Sequence, residues 1–319
     1  MFKKYFTDKG KYLTNHLHSI SDFTKYFPSP VSVPYFRFHE IDSDEVFKII
    51  ESLKAKKSAG YDKISAKVLK ENKWLWPLDR AYKTFVKPLS LSWLSKIAEK
   101  IDTNQILDHL ETSSLLTDSQ FGFRPKKNTT QAIGTLLETI YKKLDHSQVS
   151  QTIFLDFSKA FDTINHKILI EKLKFYHFTP SAVKLVESYL DNRNQFVKVG
   201  ENNSGMPKFS TGVPQGSVIG PLLFLIYIND LLSVSDNFQY VLISENADLT
   251  ERELLKIQDC SIANKLLLNF EKTHQTIFKN HQKRLEDDVY TLNNVIKPTD
   301  YKFLEIHLDQ HLKFRTQID

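Results

Sequence analysis

Three stretches of the chain combine residue types that can act on phosphates or hard metal ions. In "TIFLDFSKAFDTINHKIL", Asp156 follows directly on a strand-like run and a second acid stands at Asp162. A carboxylate at the end of a buried strand is held rigidly while its neighbours pack, which suits the few protein oxygens that Mg²⁺ accepts. Taken alone, the pattern serves equally well for a strand ending in a helix-capping aspartate. In "FSTGVPQGSVIGPLLFLIYINDL", Gly212, Pro214, Gly216 and Gly220 crowd together, although the chain has only 9 glycines. Such a turn lets main chain approach a nucleotide or a nucleic-acid strand, with Gln215 and Ser217 as polar contacts; the competing reading is an elaborate helix cap. In "DSQFGFRPKKNTTQAI", Arg124 stands on a glycine-containing turn, where its planar fork suits a phosphate. Lys126 and Lys127 read better as a solvated basic loop.

These residues need elements to position them. Apolar spacing predicts helices in "SDEVFKIIESLKAKK", "SLSWLSKIAEKIDTNQILDHLE", "NTTQAIGTLLETIYKKLDH", "INHKILIEKLKFYH" and "PSAVKLVESYLDN". Strands are expected in "QTIFLDF", "QFVKVG" and "FQYVLIS", each rich in β-branched or aromatic residues and bounded by turn residues. Helices and short strands alternate without a strict βαβ repeat, so the expected class is α+β, an antiparallel sheet backed by helices. His166 reads as a helix-start residue and not as a base.

Composition narrows the classes. With 41% hydrophobic residues in 319, including 23 Phe and 13 Tyr, the chain can bury a substantial core. Its formal charge of +5 suits a polyanionic partner without requiring one. One cysteine, Cys260, excludes an internal disulfide framework and a Cys-rich zinc site, and favours a reducing, intracellular location, nucleus or cytoplasm undecided. The run "GPLLFLIYI" is too short to span a bilayer, and no membrane partner is expected. Phosphate-loop, zinc-protease and nucleophile-elbow motifs are missing.

Taken in order, "FGFRP", "FLDFSKAFDTINHKIL" and "GVPQGSVIGPLLFLIYINDL" resemble the reverse transcriptase domain of non-LTR (LINE, jockey-like) retrotransposons. The likeness extends to "LKAKKSAGYDKISAKVLK", "KPLSLSWLSKIAEK", "IANKLLLNFEKTHQTIF" and "YKFLEIHLD". "MFKKYFTDKGKYLTNHL" resembles the spacer before that polymerase. The resemblance implies a right-hand polymerase, with 1–42 a spacer, 43–150 a shortened fingers region, and 151–319 a palm that ends before any thumb.

It also implies an RNA template, a DNA primer, deoxynucleoside triphosphates and two Mg²⁺ ions, Mn²⁺ being an alternative. Oligomeric state is left open. Asp156 matches the first metal-binding aspartate and the Phe157 carbonyl a backbone ligand. Phe161 matches the bulky residue under the incoming sugar, where a 2′-hydroxyl would clash. Phe157, Phe161, Gln215 and Gly216 are the implied nucleotide contacts; Arg124, Gly212 and Pro214 lie on the side of the template or phosphates. Asp162 matches a frequent acid that orders the turn and holds no metal.

Departures from the pattern fall on functional elements. Where the family carries Phe-Ala-Asp-Asp, an ungapped match sets Ile243, Ser244, Glu245 and Asn246. Glu245 adds a methylene, a displacement of roughly an ångström, which can cost about 100-fold in rate. Asn246 brings no charge. A second register, opened by a gap, sets "NADLT" against "FADDT" and keeps Asp248 beside Leu249. "TERELLKIQ" follows where the returning strand belongs, Lys87 replaces an arginine, and Glu305 replaces a glycine near the primer. The expectation is an inactive or severely impaired polymerase, as in a decayed retrotransposon copy or a gene sequence assembled across one. The alternative is a domesticated or remnant nucleic-acid-binding protein.

Overall fold

The structure is a computed structural model, and it describes residues 22–28, 32–54, 64–71, 93–191, 198–199, 202–203, 211–214, 216–234, 251–279, 300–303, 306–309 and 312. In chain order the elements are α1 (Ser43–Ser52), α2 (Ala66–Glu71), α3 (Trp93–Thr112), α4 (Thr129–Asp145), β1 (Ser150–Phe154) and α5 (Ala160–Thr163). These are followed by α6 (His166–Phe175), α7 (Pro180–Leu190), β2 (Lys198–Val199), β3 (Asn202–Asn203) and α8 (Gly220–Ile228). The last are α9 (Glu251–Ala263), β4 (His274–Phe278), β5 (Asp300–Phe303) and β6 (Ile306–Asp309). The class is α+β, mostly helical, and the strand pairs described, β1 with β4, β2 with β3 and β5 with β6, are antiparallel. No helix among the described residues is long and apolar enough to cross a membrane. The expected strand "FQYVLIS" lies outside them.

The chain forms two compact units. One takes its described residues from Pro30–Leu116 and Phe161–Tyr227. Its first layer packs α1, α2 and α3 through Val46, Ile49, Ile50, Leu69, Leu94, Ile97 and Ile101. Helix α1 begins where Asp42 accepts from the Asp44 amide at 3.4 Å, with Asp44 and Glu45 in its first turn facing the positive end of the helix dipole. The proline-rich stretch before α1 carries a buried residue, Phe36. It bridges Phe178 through main-chain bonds to His177 O (2.8 Å) and from Thr179 N (2.9 Å), and its ring lies 4.6 Å from that of Phe178.

The other unit draws on Leu17–Ser29, Thr117–Ala160 and Ile228–Asp319. Its centre is the β1–β4 pair, in register from Ser150 opposite Phe278 to Phe154 opposite His274. All five residues of β1 are buried, so its alternating side chains must meet apolar partners on both faces. Phe154 packs with Ile133, Leu136 and Ile140 of α4 and with Phe278. Ile153 points the other way and packs with Ile257 and Cys260 of α9 and with Leu231. Helix α4 starts in a capping box: Asn128 accepts from Gln131 N at 2.9 Å, and the Gln131 side chain accepts from Asn128 N at 3.0 Å.

Candidate nucleotide and metal site

Asp156 stands just beyond β1, where the chain leaves the strand and is fastened a second time. Asn269 N donates to Asp156 O at 2.8 Å, Phe157 bridges Leu268, and Ser158 N donates to Leu267 O at 2.8 Å. The carboxylate is half-exposed: its Oδ2 lies 3.4 Å from Asn269 Nδ2 and 3.8 Å from Lys272 Nζ. Strand and second fastening together hold the carboxylate by its own backbone, the rigidity a Mg²⁺ ligand needs. Asn269 and Lys272 went unnoticed as partners of Asp156 in the sequence, because their segment lies far along the chain; the same-length pairing of β1 with β4 is what delivers them.

A single hard carboxylate oxygen fits Mg²⁺ as one ligand of several. Among the described residues no three or more His, Cys, Asp or Glu side chains gather where they could hold a metal ion. Glu245 and Asp248, read from the sequence as possible completing acids, lie outside the described residues, as do Gln215, Lys87 and Glu305.

In the other unit the glycine turn is latched to the segment that begins with Phe161. Gly212 N donates to Ile164 O at 2.7 Å, Val213 N donates to Phe161 O at 2.9 Å, and Thr211 bridges Asn165. Gly212 has φ +82°, and a Cβ there would sit 2.9 Å from the Cα of Asp162, so only glycine fits on both counts. Asp162 lies in α5 and contributes main chain to this approach. Pro214 O accepts from Ser217 N at 3.2 Å, and Gly216 has φ +80°, a left-handed backbone that favours glycine. The Phe161 ring lies 4.8 Å from that of Phe224.

His166 is the first residue of α6, as its place after the capping Asn165 suggests. Its Nε2 lies 2.7 Å from Gly212 O, and since a carbonyl only accepts, Nε2 carries the hydrogen. Burial holds the imidazole below its ordinary range, partly offset by that hydrogen bond. The ring is a further tie on the glycine turn.

Arg124 turns its Nη1 onto two main-chain carbonyls, Thr117 O at 2.5 Å and Gln120 O at 3.4 Å. It fastens the turn on which it stands. Lys127 reaches the Asp118 carbonyl and lies 5.1 Å from the centre of the Phe121 ring, so the basic loop is internally tied.

The chain is an α+β protein in which one unit fixes an acid at a strand end and the other carries a glycine turn leading into a buried helix. A family model described as reverse transcriptase (RNA-dependent DNA polymerase) matches residues 83–308, well over half of the sequence, and the chain belongs to that family. It is related to non-LTR retrotransposon polymerases of the jockey type. It is 36% identical over 147 residues to the probable RNA-directed DNA polymerase from transposon BS of Drosophila melanogaster, covering 46% of this chain and 16% of that protein. Likeness to the RNA-directed DNA polymerase from mobile element jockey of Drosophila funebris is 25% over 245 residues, 70% of this chain and 27% of that one. The chain thus matches a minor part of the length of these relatives. Among solved structures, apo telomerase from Candida tropicalis, truncated from its C-terminal domain, is similar with TM-score 0.46 and 14% identity, over 76% of this chain and 48% of that one.

Proposed function

We propose that the chain is the reverse transcriptase domain of a non-LTR retrotransposon, built to extend a DNA primer on an RNA template, in which nucleotide transfer is lost or severely impaired. The observation that carries the reading is the double fastening of Asp156 by β1 and by Asn269, on a chain of this family. Residues 1–42 are a spacer, 43–150 belong to shortened fingers and 151–319 to the palm. Asp156 and the Phe157 carbonyl are ligands for Mg²⁺ or Mn²⁺, with Glu245 or Asp248 as the remaining acid. A divalent ion bound there would lower the pKa of an attacking hydroxyl and stabilise charge on the transferring phosphate. Phe161, backed by Phe224, excludes a 2′-hydroxyl and so selects deoxynucleotides. Gly212, Pro214, Gln215 and Gly216 support the template–nucleotide pair, and Arg124 faces phosphates or template.

Impairment follows from chemistry at the second acid. Neither register retains two adjacent aspartates, and Asn246 supplies no charge where two ions need neutralising.

Primer extension on an RNA template, with purified protein, Mg²⁺ or Mn²⁺ and deoxynucleoside triphosphates, tests both parts beside an Asp156→Ala control. Expected is little or no incorporation from folded protein that still retains template in a salt-dependent way. Robust incorporation abolished by Asp156→Ala would uphold the polymerase and overturn the impairment. Absence of template binding as well would overturn the proposal.

A further inference from the structure

Helix α8 is apolar around its whole circumference, "GPLLFLIYI", and its side chains from Leu222 to Ile228 are buried. An amphipathic helix is oriented by the boundary between its faces; α8 has no such boundary, and apolar contact is non-directional. Its polar ends are therefore what fix it along its axis.

Each end meets a buried charge of the complementary sign. At the start, the Glu99 carboxylate of α3, 4% exposed, accepts through Oε2 from Val218 N at 2.6 Å and from Ile219 N at 3.4 Å. Ser217 Oγ accepts from Gly220 N at 3.1 Å. At the other end Lys172 of α6, 1% exposed, donates to the Tyr227 carbonyl and lies 4.7 Å from the centre of the Tyr227 ring. The hydroxyl of that ring accepts from Asn165 N at 3.2 Å. An anion at the N-terminus and a cation at the C-terminus are the arrangement the helix dipole favours.

We propose that Glu99 and Lys172 are positioning residues that set α8 along its axis, and with it Gly216 and Ser217, which lead into the helix. The proposal rests on the nucleotide role assigned to Gly216. Helices advance about 1.5 Å per residue, so a slide of one residue exceeds the roughly 1 Å misplacement that costs about 100-fold in a catalytic site. Glu99 reads from sequence as one more charge on a helix, and its partners lie 119 and 120 positions away.

The test uses the full chain with Glu99→Leu, Glu99→Gln and Lys172→Met. Amide hydrogen exchange is followed at residues 216–220, with α4 as internal reference, and the KM for deoxynucleotide is measured wherever incorporation is detectable. Expected for Glu99→Leu is exchange at Val218 and Ile219 faster by about tenfold or more than any change in α4, as for loss of a charged acceptor. Glu99→Gln, which keeps an acceptor of equal length, restores most of that protection. Lys172→Met raises exchange in the same segment. Where incorporation is measurable, KM rises more than kcat falls. If Glu99→Leu does not fold, Glu99→Asp, one methylene short of the amides, takes its place with the same expectation. Exchange that rises equally in α4 and at 218–219 overturns the proposal. An inactive parent chain leaves the exchange readout decisive, so failure of the polymerase reading and failure of the clamp are told apart.

Discussion

Gly212 and Asp162 approach so closely that a Cβ on the glycine would lie 2.9 Å from both the Cα and the carbonyl oxygen of the aspartate. Neither obstacle is a movable side-chain end; both are main chain. Gly212→Ala meets this contact and a left-handed backbone at once, and the expected loss is at least about 1–3 kcal/mol. Urea unfolding measures it, and an unchanged midpoint would mean that the two segments do not meet as described. Gly216→Ala has open space around its Cβ and suffers only from φ +80°, so the expected cost is smaller, about 1 kcal/mol.

The two registers proposed for residues 243–249 make opposite predictions. If Glu245 and Asn246 occupy the acid positions, Glu245→Asp with Asn246→Asp raises incorporation by roughly 100-fold, and Leu249→Asp does nothing. If Asp248 is the acid, Leu249→Asp supplies its neighbour and the double variant is inert. Primer extension on the three proteins decides between them, and failure of both rescues would place the defect elsewhere in the domain.

Arg124 makes a prediction that separates structure from binding. Its guanidinium holds the carbonyls of Thr117 and Gln120, the latter on a buried residue. Arg124→Ala removes a charged donor from both, with an expected cost of about 1.5–3 kcal/mol in thermal or urea unfolding. Loss of template affinity with no loss of stability would reverse the assignment and make Arg124 a contact residue alone.

Acid acts on the imidazoles of His109 and His166. Burial holds both His109 and His166 below the ordinary value of 6.5. The unfolded chain then binds protons that the folded chain resists, so stability is fully present above pH 6.5 and declines as pH falls through that value toward the lowered folded one. His109 stacks near Phe36 at 5.2 Å and Phe178 at 6.0 Å, so His109→Phe keeps an aromatic ring and removes the titration. Its melting temperature is expected to fall less between pH 7 and 5 than that of the parent; parallel curves would show that His109 does not contribute.

Much of the helical framework is legible because it follows local rules. Asn128 and Gln131 announce the start of α4, Pro180 the start of α7, and β-branched spacing the strand that ends before Asp156. Helix α3 shows the limit. It buries Glu99, Thr103 and Gln105 among its apolar residues, because Glu99 takes amides before α8 and Gln105 exchanges two bonds with His39 main chain at 3.0 and 3.3 Å. Such partners are separated by tens of residues, and periodicity carries no record of them. Lys172 is hidden in the same way: its helix reads as amphipathic with lysines outward, yet this one is buried under Tyr227. At the candidate site Asp156 is readable from its strand, whereas Asn269 and Lys272 become visible only once β4 is laid against β1.

The buried sulfur of Cys260 lies on the face of α9 that packs with Ile153 of β1. It is the chain's one thiol, so alkylation by a small reagent reports at one site the openings that expose this face of the helix, its parting from the strand before Asp156 among them. The natural sequence therefore contains its own clock for the opening of the layer beneath the candidate site.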